Sequence, residues 1–511
     1  MITGREYSYQ EFTDYARRFS QEGLLTGIAQ AALTLPPTGA PDPRYRRMSP
    51  WALAALAKAS ICHGNRYRSV PVRRDTVPDG CFMYNNISPE ELGQDELKTP
   101  FGILLRLAYE QFPGQESPYE EVARAGALFE CYSGRKELEV LGRQGLAELL
   151  GAPLQQALAV GFLLFASANV NEGFFNPKWM DQPNFSEVLA IVPRQDITSV
   201  IDAVFATDFD GFRRQADKAP AQQFLDRYAF NPLTSRPFVR LRDGRLLAPV
   251  PQLIPRKLSP GELYYLGLER WGGAFSRDMG ELFEDYVGRQ LRTLPGVTVY
   301  PEIRYAEGKN TVMSVDWIVV SPYSVLLVEA KATRVPAAAR AGQENAQESF
   351  KRTLGKAFDQ ISRTHQAISE GRPEFLKIPQ GRPVHGLVAT LDSWYIANSP
   401  LARDLLPQPG IPTLVASARC LEHLVAIGQR RPATQVLAEI IADVERRTWD
   451  LGTALQPYAV EGDDNPLLRA AWERYLFDSE VPGQGSRGSA RPADARSWRA
   501  SRPWYTADLG R

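Results

Sequence analysis

The sequence predicts an α+β protein of several domains, with a mostly α-helical N-terminal half and a C-terminal α/β core arranged as αβββαβ around a mixed sheet. Three observations support this fold class. The chain has 511 residues, which is too long for one ordinary hydrophobic core. Apolar residues in the first 235 positions recur at helical spacing. From residue 278 onward, a helical stretch is followed by three apolar runs of strand length, a long helix and another strand.

The composition excludes some classes of protein but identifies no partner. Hydrophobic residues make up 44% of the chain and charged residues 23%, which are the proportions of a globular protein. Lysine plus arginine and aspartate plus glutamate balance at 59 each. A surface that binds nucleic acid would therefore need a local cluster of positive charge.

The sequence also predicts the compartment. The four cysteines are scattered without a CxxC pair, which favours a reduced, cytoplasmic chain over a zinc site. The first residues contain no apolar signal region. The most apolar run, residues 157–170, is shorter than the roughly 20 residues of a membrane span. We interpret it as a buried helix and expect no membrane partner.

The elements follow in order along the chain. Residues 1–235 form the mostly helical region, which we expect to recognise the substrate or bind a partner. Residues 236–251 alternate around Asp243-Gly244, the usual sequence of a two-residue hairpin turn, and a connecting helix extends this segment to 277. A third domain covers 278–450 and a C-terminal helix covers 451–480. Residues 481–511 are rich in Gly, Ser, Pro and Arg, which predicts a disordered basic tail.

Within the third domain, the pattern predicts a helix from residue 278 and then three strands, VTVYPEIRY, VMSVDWIVV and SVLLVEAKA. A long helix at 343–370 and the strand VHGLVATL follow. The strand PTLVASA and helices at 419–429 and 433–448 complete this domain.

Three ionisable residues, Asp316, Glu329 and Lys331, interrupt two of these apolar strands. Alternate side chains of a strand share one face, so Glu329 and Lys331 point the same way. Pro322 lies in a short turn between the two strands, which brings Asp316 close to the other two residues. We therefore expect the three groups to converge at one end of a buried sheet.

Burying a lone carboxylate is unfavourable unless a compensating charge accompanies it. Two carboxylates and water form a site suited to Mg²⁺ or Mn²⁺. The adjacent ammonium can activate a water molecule or stabilise charge on an attacked phosphate. The alternative is a structural salt bridge of Lys331 with Glu329 or Asp316. Two other (D/E)xK tripeptides, at Glu96 and Glu307, lie outside apolar strands, so only the third one indicates a site.

The stretch GELFEDYV…SVDWIVVSPYSVLLVEAKAT, in the order helix, strand, strand with Asp, strand with ExK, helix and strand, resembles the PD-(D/E)xK nuclease superfamily. The Gly-x-x-Phe-Glu helix is most similar to its NERD-like and Mrr-like branches. The resemblance covers residues 278–392 and implies a restriction-endonuclease-like core.

The resemblance also implies roles for individual residues. Asp316 and Glu329 would be metal ligands, and Lys331 would be the catalytic lysine. Glu284 would be a further metal ligand or would support a metal-bound water, with a solvated charge at the start of the helix as the alternative. Gln360 would lie beside the site. Thr364 stands where the recombinase-type branch has a tyrosine, which disfavours that branch.

These features predict a Mg²⁺-dependent or Mn²⁺-dependent hydrolase of phosphodiester bonds. The resemblance implies a DNA endonuclease of bacterial antiviral defence, restriction or repair. The alternatives are a structure-specific or RNA-directed nuclease with the same site, and a nucleic-acid-binding scaffold that does not cleave. DNA is the expected partner. A second protein bound to the N-terminal helical region and a homo-oligomer are both compatible with the sequence.

Overall fold

The computed structural model of the chain describes residues 5–35, 48–68, 70–88, 100–111, 117–134, 136–218, 231–336 and 346–475. The predicted basic tail, residues 481–511, lies outside the described residues, as do the last residues of the predicted C-terminal helix.

The described part of the N-terminal half is mostly helical, as predicted. Local sequence explains where its helices begin. The Ser8 hydroxyl accepts the Glu11 N–H at 3.0 Å and the Glu11 carboxylate accepts the Ser8 N–H at 2.9 Å, which forms a capping box. Ser20 and Ser49 cap the next two helices through their hydroxyl groups. The helices are α1 (Tyr9–Ala16), α2 (Gln21–Leu33), α3 (Pro50–His63), α4 (Thr76–Asn85), α5 (Pro100–Gln111), α6 (Pro118–Phe129), α7 (Arg143–Leu150), α8 (Leu154–Val170), α9 (Ser186–Ile191), α10 (Arg194–Val200), α11 (Phe209–Lys218) and α12 (Pro232–Ser235).

A small four-stranded sheet contains the predicted hairpin. Its strands are β1 (Phe174–Phe175), β2 (Ala206–Thr207), β3 (Phe238–Arg240) and β4 (Leu246–Leu247), in the order β1-β4-β3-β2. Strands β3 and β4 pair antiparallel across a turn in which Gly244 has a φ of 87°, a conformation that glycine adopts without strain. Because β1 and β2 come from the N-terminal half, the hairpin belongs to that half.

A five-stranded mixed sheet forms the centre of the C-terminal half. Its strands are β5 (Thr298–Pro301), β8 (Trp317–Val320), β9 (Val325–Lys331), β10 (Val384–Thr390) and β11 (Thr413–Ser417), in the order β11-β10-β9-β8-β5. Strand β8 pairs antiparallel with both of its neighbours, β5 and β9, whereas β9, β10 and β11 run parallel. The helices of this half are α13 (Leu253–Arg256), α14 (Pro260–Trp271), α15 (Gly273–Arg292), α16 (Ala346–Ser369), α17 (Pro400–Arg403), α18 (Ala418–Gly428), α19 (Ala433–Ala442), α20 (Leu451–Leu455) and α21 (Pro466–Trp472).

Helices α15 and α16 cover opposite faces of this sheet. Leu326 and Val328 of β9 pack into the same core as α15, while Val325 and Leu327 pack into the same core as α16. This alternation is the period of two that a strand imposes on its side chains. The apolar stripe predicted for α15 is fully buried and comprises Met279, Leu282, Phe283, Tyr286 and Val287.

Two predicted long strands are each divided in the structure. The run VTVYPEIRY forms β5 and β6 (Arg304–Glu307), and the run VMSVDWIVV forms β7 (Asn310–Met313) and β8. Strands β6 and β7 pair with each other as a two-stranded ribbon. The division occurs because the backbone of residues 314 and 315 forms hydrogen bonds with side chains of α16. Asp316 therefore precedes β8 in a strand break, which corrects the expectation that it lies within a strand.

Two predicted helices near the C-terminal end are shorter than expected. The helix predicted at 433–448 ends at Ala442, because the Asp443 carboxylate accepts the N–H groups of Glu445 and Arg446, each at 3.0 Å. The described part of the helix predicted at 451–480 contains α20 and α21, separated by a segment in which Gly462 has a φ of 92°.

The hydrophobic core does not divide at the predicted limits of 235 and 278. One continuous cluster of buried residues joins α6 and α8 to α15, the five-stranded sheet and α18. Arg124 of α6 also forms a buried bidentate ion pair with Glu422 of α18, with Nε–Oε1 at 2.5 Å and Nη2–Oε2 at 2.7 Å. The N-terminal helices therefore help to position α15.

Among the residues that the structure describes, the stretch Arg143–Val170, which contains α7 and α8, is long and apolar enough to cross a membrane by length and composition. Half of its apolar window is buried inside the protein. Within residues 157–170, the buried positions are Ala157, Leu158, Val160, Gly161, Leu164 and Ala168.

Candidate active site

The break before β8 places Asp316 beside Glu329. Strands β8 and β9 are antiparallel neighbours with Trp317 opposite Val328, so the next pair along the two strands is Asp316 and Glu329. Asp316 is half-buried, and its Oδ2 accepts the Ala330 N–H of β9 at 2.7 Å. This hydrogen bond fixes the Asp316 carboxylate against the neighbouring strand.

Helix α16 holds the strand break in place through two side chains. The Thr364 hydroxyl accepts the Val315 N–H at 2.9 Å, and the Gln360 side-chain amide donates to the Ser314 carbonyl at 2.7 Å. Gln360 was predicted near the site, and its amide holds the backbone two residues before Asp316. Thr364 was not predicted to contribute. Thr364 is fully buried. Its position within an apolar helical stripe was the one sequence signal that it contributes to this region.

Glu329 is the most deeply buried of the predicted site residues, with 1% of its surface exposed. Its Oε1 accepts a hydrogen bond from Nζ of Lys331 at 2.5 Å, as expected for side chains on one strand face. Its Oε2 is buried without a hydrogen-bond partner. The backbone N–H of Asp316 is close enough to lower the pKa of this carboxyl group slightly, but it forms no hydrogen bond with Oε2. A buried, unsatisfied carboxylate oxygen is unfavourable unless another group satisfies it.

The carboxyl groups of the site hold protons more tightly than ordinary carboxyl groups. Burial and then the neighbouring Asp316 charge raise the pKa of Glu329 to about 8, against the opposing effect of Lys331. Burial also raises the pKa of Asp316 to about 6, although the Ala330 N–H and Lys331 favour its ionised form. Without a cation, ionising both carboxyl groups is therefore unfavourable, and Glu329 keeps its proton to a higher pH than an ordinary carboxyl group.

Glu284 lies on α15 within electrostatic range of Asp316. Its backbone carbonyl accepts the Trp317 indole N–H at 3.0 Å, which ties α15 to the first residue of β8. Burial, and then the charges of Asp316, Glu281 and Glu302, raise the pKa of the half-buried Glu284 carboxyl group to about 7. The Glu284 carboxyl group is therefore less solvated than the charge at the start of the helix that was the alternative.

Sequence reasoning missed three charged residues around the site. Glu281 and Glu302 both raise the pKa values of Asp316 and Glu284. Lys136, from a loop of the N-terminal half, forms an ion pair with Glu281. Glu281 lies one helical turn from Glu284 and could have been found from that spacing. The contribution of Lys136 depends on a contact between distant parts of the chain.

The site residues can be tested against the cation that the resemblance implies. Among the described residues, no three His, Cys, Asp or Glu side chains are grouped so that they could hold a metal ion. The role of Glu284 as a third ligand therefore stays a prediction. Mg²⁺ is usually bound by one or two carboxylates with waters and substrate phosphates. The unsatisfied Oε2 of Glu329 is an acceptor that a cation would satisfy. Asp316 and Glu329 therefore fit Mg²⁺ or Mn²⁺ as a two-carboxylate site.

Comparison of the chain with protein-family models, with curated proteins and with solved structures finds no match.

Proposed function

We propose that this chain is a metal-dependent nuclease that hydrolyses phosphodiester bonds, with Asp316, Glu329 and Lys331 at its active site. The observation that supports this proposal best is the Oε2 of Glu329, an acceptor buried without a partner beside a second carboxylate. A structural role for Glu329 would be served better by a side chain whose polar atoms are all satisfied.

Asp316 and Glu329 would hold the divalent cation. When bound, the cation would neutralise the two carboxylates, withdraw charge from the attacked phosphate and lower the pKa of a bound water. The Ala330 N–H orients Asp316, and Lys331 orients Glu329. Thr364 and Gln360 hold the strand break on which both orientations depend.

Lys331 acts on the phosphate or the attacking water. About one quarter of its side chain is exposed (26%), so its ammonium can contact a substrate while it remains bonded to Glu329. In the hydrolysis, the water oxygen bonds to phosphorus and loses a proton, while one P–O ester bond breaks and its oxygen gains a proton. Negative charge on the phosphoryl oxygens increases in the transition state, and the ammonium stabilises it.

The order of elements supports placing this site in the PD-(D/E)xK superfamily. The helix α15, the antiparallel strands β5, β8 and β9, the crossover helix α16 and the parallel strand β10 follow one another in the order that the resemblance implies. The β6–β7 ribbon is an insertion in this order. A restriction-endonuclease-like core and a cytoplasmic DNA endonuclease of bacterial defence, restriction or repair are parts of the proposal.

The second candidate is a non-cleaving scaffold, and one observation favours it. The 2.5 Å contact between Lys331 and Glu329 could be a structural salt bridge. A structure-specific or RNA-directed nuclease would share the proposed site and would differ only in its substrate.

Cleavage assays separate these candidates. The purified protein is incubated with supercoiled plasmid, linear duplex DNA, single-stranded DNA and RNA, in Mg²⁺ or in EDTA. We expect Mg²⁺-dependent nicking of the plasmid that Lys331→Ala abolishes and that Lys178→Ala, at an exposed lysine of the N-terminal half, leaves intact. Equal activity of the Lys331→Ala and wild-type preparations would contradict the proposed site. Cleavage of RNA alone would favour the RNA-directed alternative.

A further inference from the structure

The β6–β7 ribbon is a separate feature from the five-stranded sheet. Its two strands are bonded only to each other within the described sheets, with Arg304 opposite Met313 and Glu307 opposite Asn310. Residues 306–311, which include the turn at Gly308, are all exposed. The sequence did not predict this ribbon, because its residues looked like the ends of longer strands.

The base of the ribbon adjoins the candidate site. The Ser314 N–H donates to the Ile303 carbonyl at 2.9 Å, and the Ser314 hydroxyl accepts the Ile303 N–H at 2.8 Å. Glu302 immediately precedes this pair and Asp316 follows it by two residues. Because Gln360 also bonds to the Ser314 carbonyl, the ribbon and the strand break share one anchor.

One face of the ribbon packs on the protein and the other faces outward. Tyr305 is 2% exposed and contacts Phe375, with ring centroids 5.2 Å apart. The Arg372 guanidinium lies 5.3 Å from the centre of the Tyr305 ring. Side chains alternate between the two faces, so Arg304, Ala306 and Thr311 lie on the outward face. The ribbon therefore has a fixed orientation relative to Asp316.

The charge around the ribbon is mixed, with a small positive excess that a nucleic-acid backbone can complement. Within residues 303–313, Arg304 and Lys309 outnumber the one acidic residue, Glu307. Burial, Glu307 and Glu370 raise the pKa of Tyr305, whereas Arg363 of the adjacent helix and Arg372 of the adjacent loop lower it. Arg372 is paired with Glu370 at 2.8 Å, so Arg363 is the one of these two arginines that adds net positive charge beside the ribbon. Phosphate contacts from such residues orient a protein on a duplex.

We infer that the β6–β7 ribbon enters the major groove of a B-form DNA duplex and positions the scissile phosphate at Asp316. This inference rests on the proposed function and identifies its substrate. Two strands about 4.8 Å apart, together with their side chains, fit a major groove about 12 Å wide. Tyr305 and the Ala306 carbonyl are held against the protein, so the tip at residues 307–310 is the part that projects. Its two residues per strand, at about 3.3 Å each, extend about 7 Å, which is most of the groove depth of about 8.5 Å.

The same geometry disfavours an RNA duplex as the substrate. The major groove of A-form RNA is deep and narrow, and side chains do not reach its base edges. Arg304, Lys309 and Asn310 have the side-chain types that contact guanine and adenine in the major groove of DNA.

Binding measurements at one fixed salt concentration test the ribbon. Ca²⁺ replaces Mg²⁺ so that binding is measured without rapid turnover. The probes are a duplex DNA of about 20 base pairs, the RNA duplex of the same sequence, and the same DNA with glucosylated 5-hydroxymethylcytosine, whose sugar fills the major groove. The double variant Arg304→Gln/Lys309→Gln is compared with Glu307→Gln, a charge change on the same ribbon. Thermal melts confirm that these variants at exposed positions remain folded.

We expect the wild type to bind unmodified DNA at least about tenfold more tightly than either the glucosylated DNA or the RNA duplex. The double variant should lose about tenfold or more in affinity for unmodified DNA, whereas Glu307→Gln should bind as tightly as the wild type or more tightly. Equal binding of all three duplexes by the wild type, or unchanged affinity of the double variant, would overturn the inference.

Cleavage in Mg²⁺, assayed in parallel, separates the two proposals. A wild type that cuts DNA while its ribbon variants bind normally would refute the ribbon inference alone. A wild type that binds the duplex through the ribbon but never cuts would count against the nuclease proposal alone. Absence of all binding and cleavage would reject both.

Discussion

Lys331 donates to Oε1 of Glu329 at 2.5 Å and leaves Oε2 of the same carboxylate buried without a partner. A salt bridge that served only stability would satisfy both oxygens, since an unpaired buried acceptor is destabilising. The pair is therefore half-satisfied in the free protein, and a ligand that binds the second oxygen would complete it.

Lys331→Ala should abolish cleavage while leaving the fold largely intact. The ammonium stabilises charge that develops on the phosphate, and loss of one such donor lowers kcat by a factor on the order of 10² to 10³. Single-turnover cleavage in Mg²⁺ measures the effect, with Lys178→Ala as the matched control. If thermal stability and activity fall together, so that the remaining folded fraction accounts for all lost activity, Lys331 is a structural partner.

Asp316→Asn should raise the melting temperature of the metal-free protein by a few degrees and remove its response to metal. The amide oxygen can still accept the Ala330 N–H, while the repulsion between Asp316 and Glu329 disappears. Wild type should be stabilised by Mg²⁺ by about 2.7 kcal/mol at a concentration 100 times the Kd. Differential scanning fluorimetry with a metal titration measures both effects. A strongly destabilised variant that still cuts DNA would refute the predicted role of Asp316.

The stability of the metal-free protein should fall as the pH rises from about 5 to about 8.5. Folding raises the pKa values of Asp316, Glu284 and Glu329 to about 6, 7 and 8, from ordinary values of about 4. The folded state therefore binds more protons than the unfolded state in this range, and the free energy of unfolding decreases as these groups ionise. Melting curves in EDTA should show the decrease, and Glu329→Gln should flatten it. A profile in Glu329→Gln as steep as that of the wild type would contradict this assignment.

Thr364→Val should impair catalysis through the strand break. Valine preserves the shape of this fully buried side chain but leaves the Val315 N–H without its acceptor, at a cost of about 1 to 3 kcal/mol in stability. Because Asp316 follows directly, we expect lower kcat and weaker metal affinity in the folded protein. Thr364→Ser should restore both, since it restores the hydroxyl. Wild-type kcat and metal affinity in folded Thr364→Val would show that the hydroxyl does not position Asp316.

The central residues of the site could be predicted because they depend on local geometry. Glu329 and Lys331 are two positions apart on one strand, and a four-residue turn follows β8, so their proximity to Asp316 requires only a hairpin. The buried stripe of α15 likewise follows from helical spacing. The anchors could not be predicted in this way. Thr364 and Gln360 hold residues 46 to 49 positions away in the chain, and no local pattern encodes those contacts.

The sequence by itself determined the helical and strand periods, the hairpin that brings Asp316 to Glu329, and the excess of acid at the end of β9. Only the tertiary structure decided where the long strands break, because the break depends on α16 hydrogen bonds to residues 314 and 315. The same break separates the β6–β7 ribbon from the five-stranded sheet. The packing of the N-terminal half on α15 brings Lys136 to Glu281. The period of a helix or strand depends on residues that are close in the sequence. The strand break, the ribbon and the contact of Lys136 with Glu281 depend on side chains that meet only after the chain has folded.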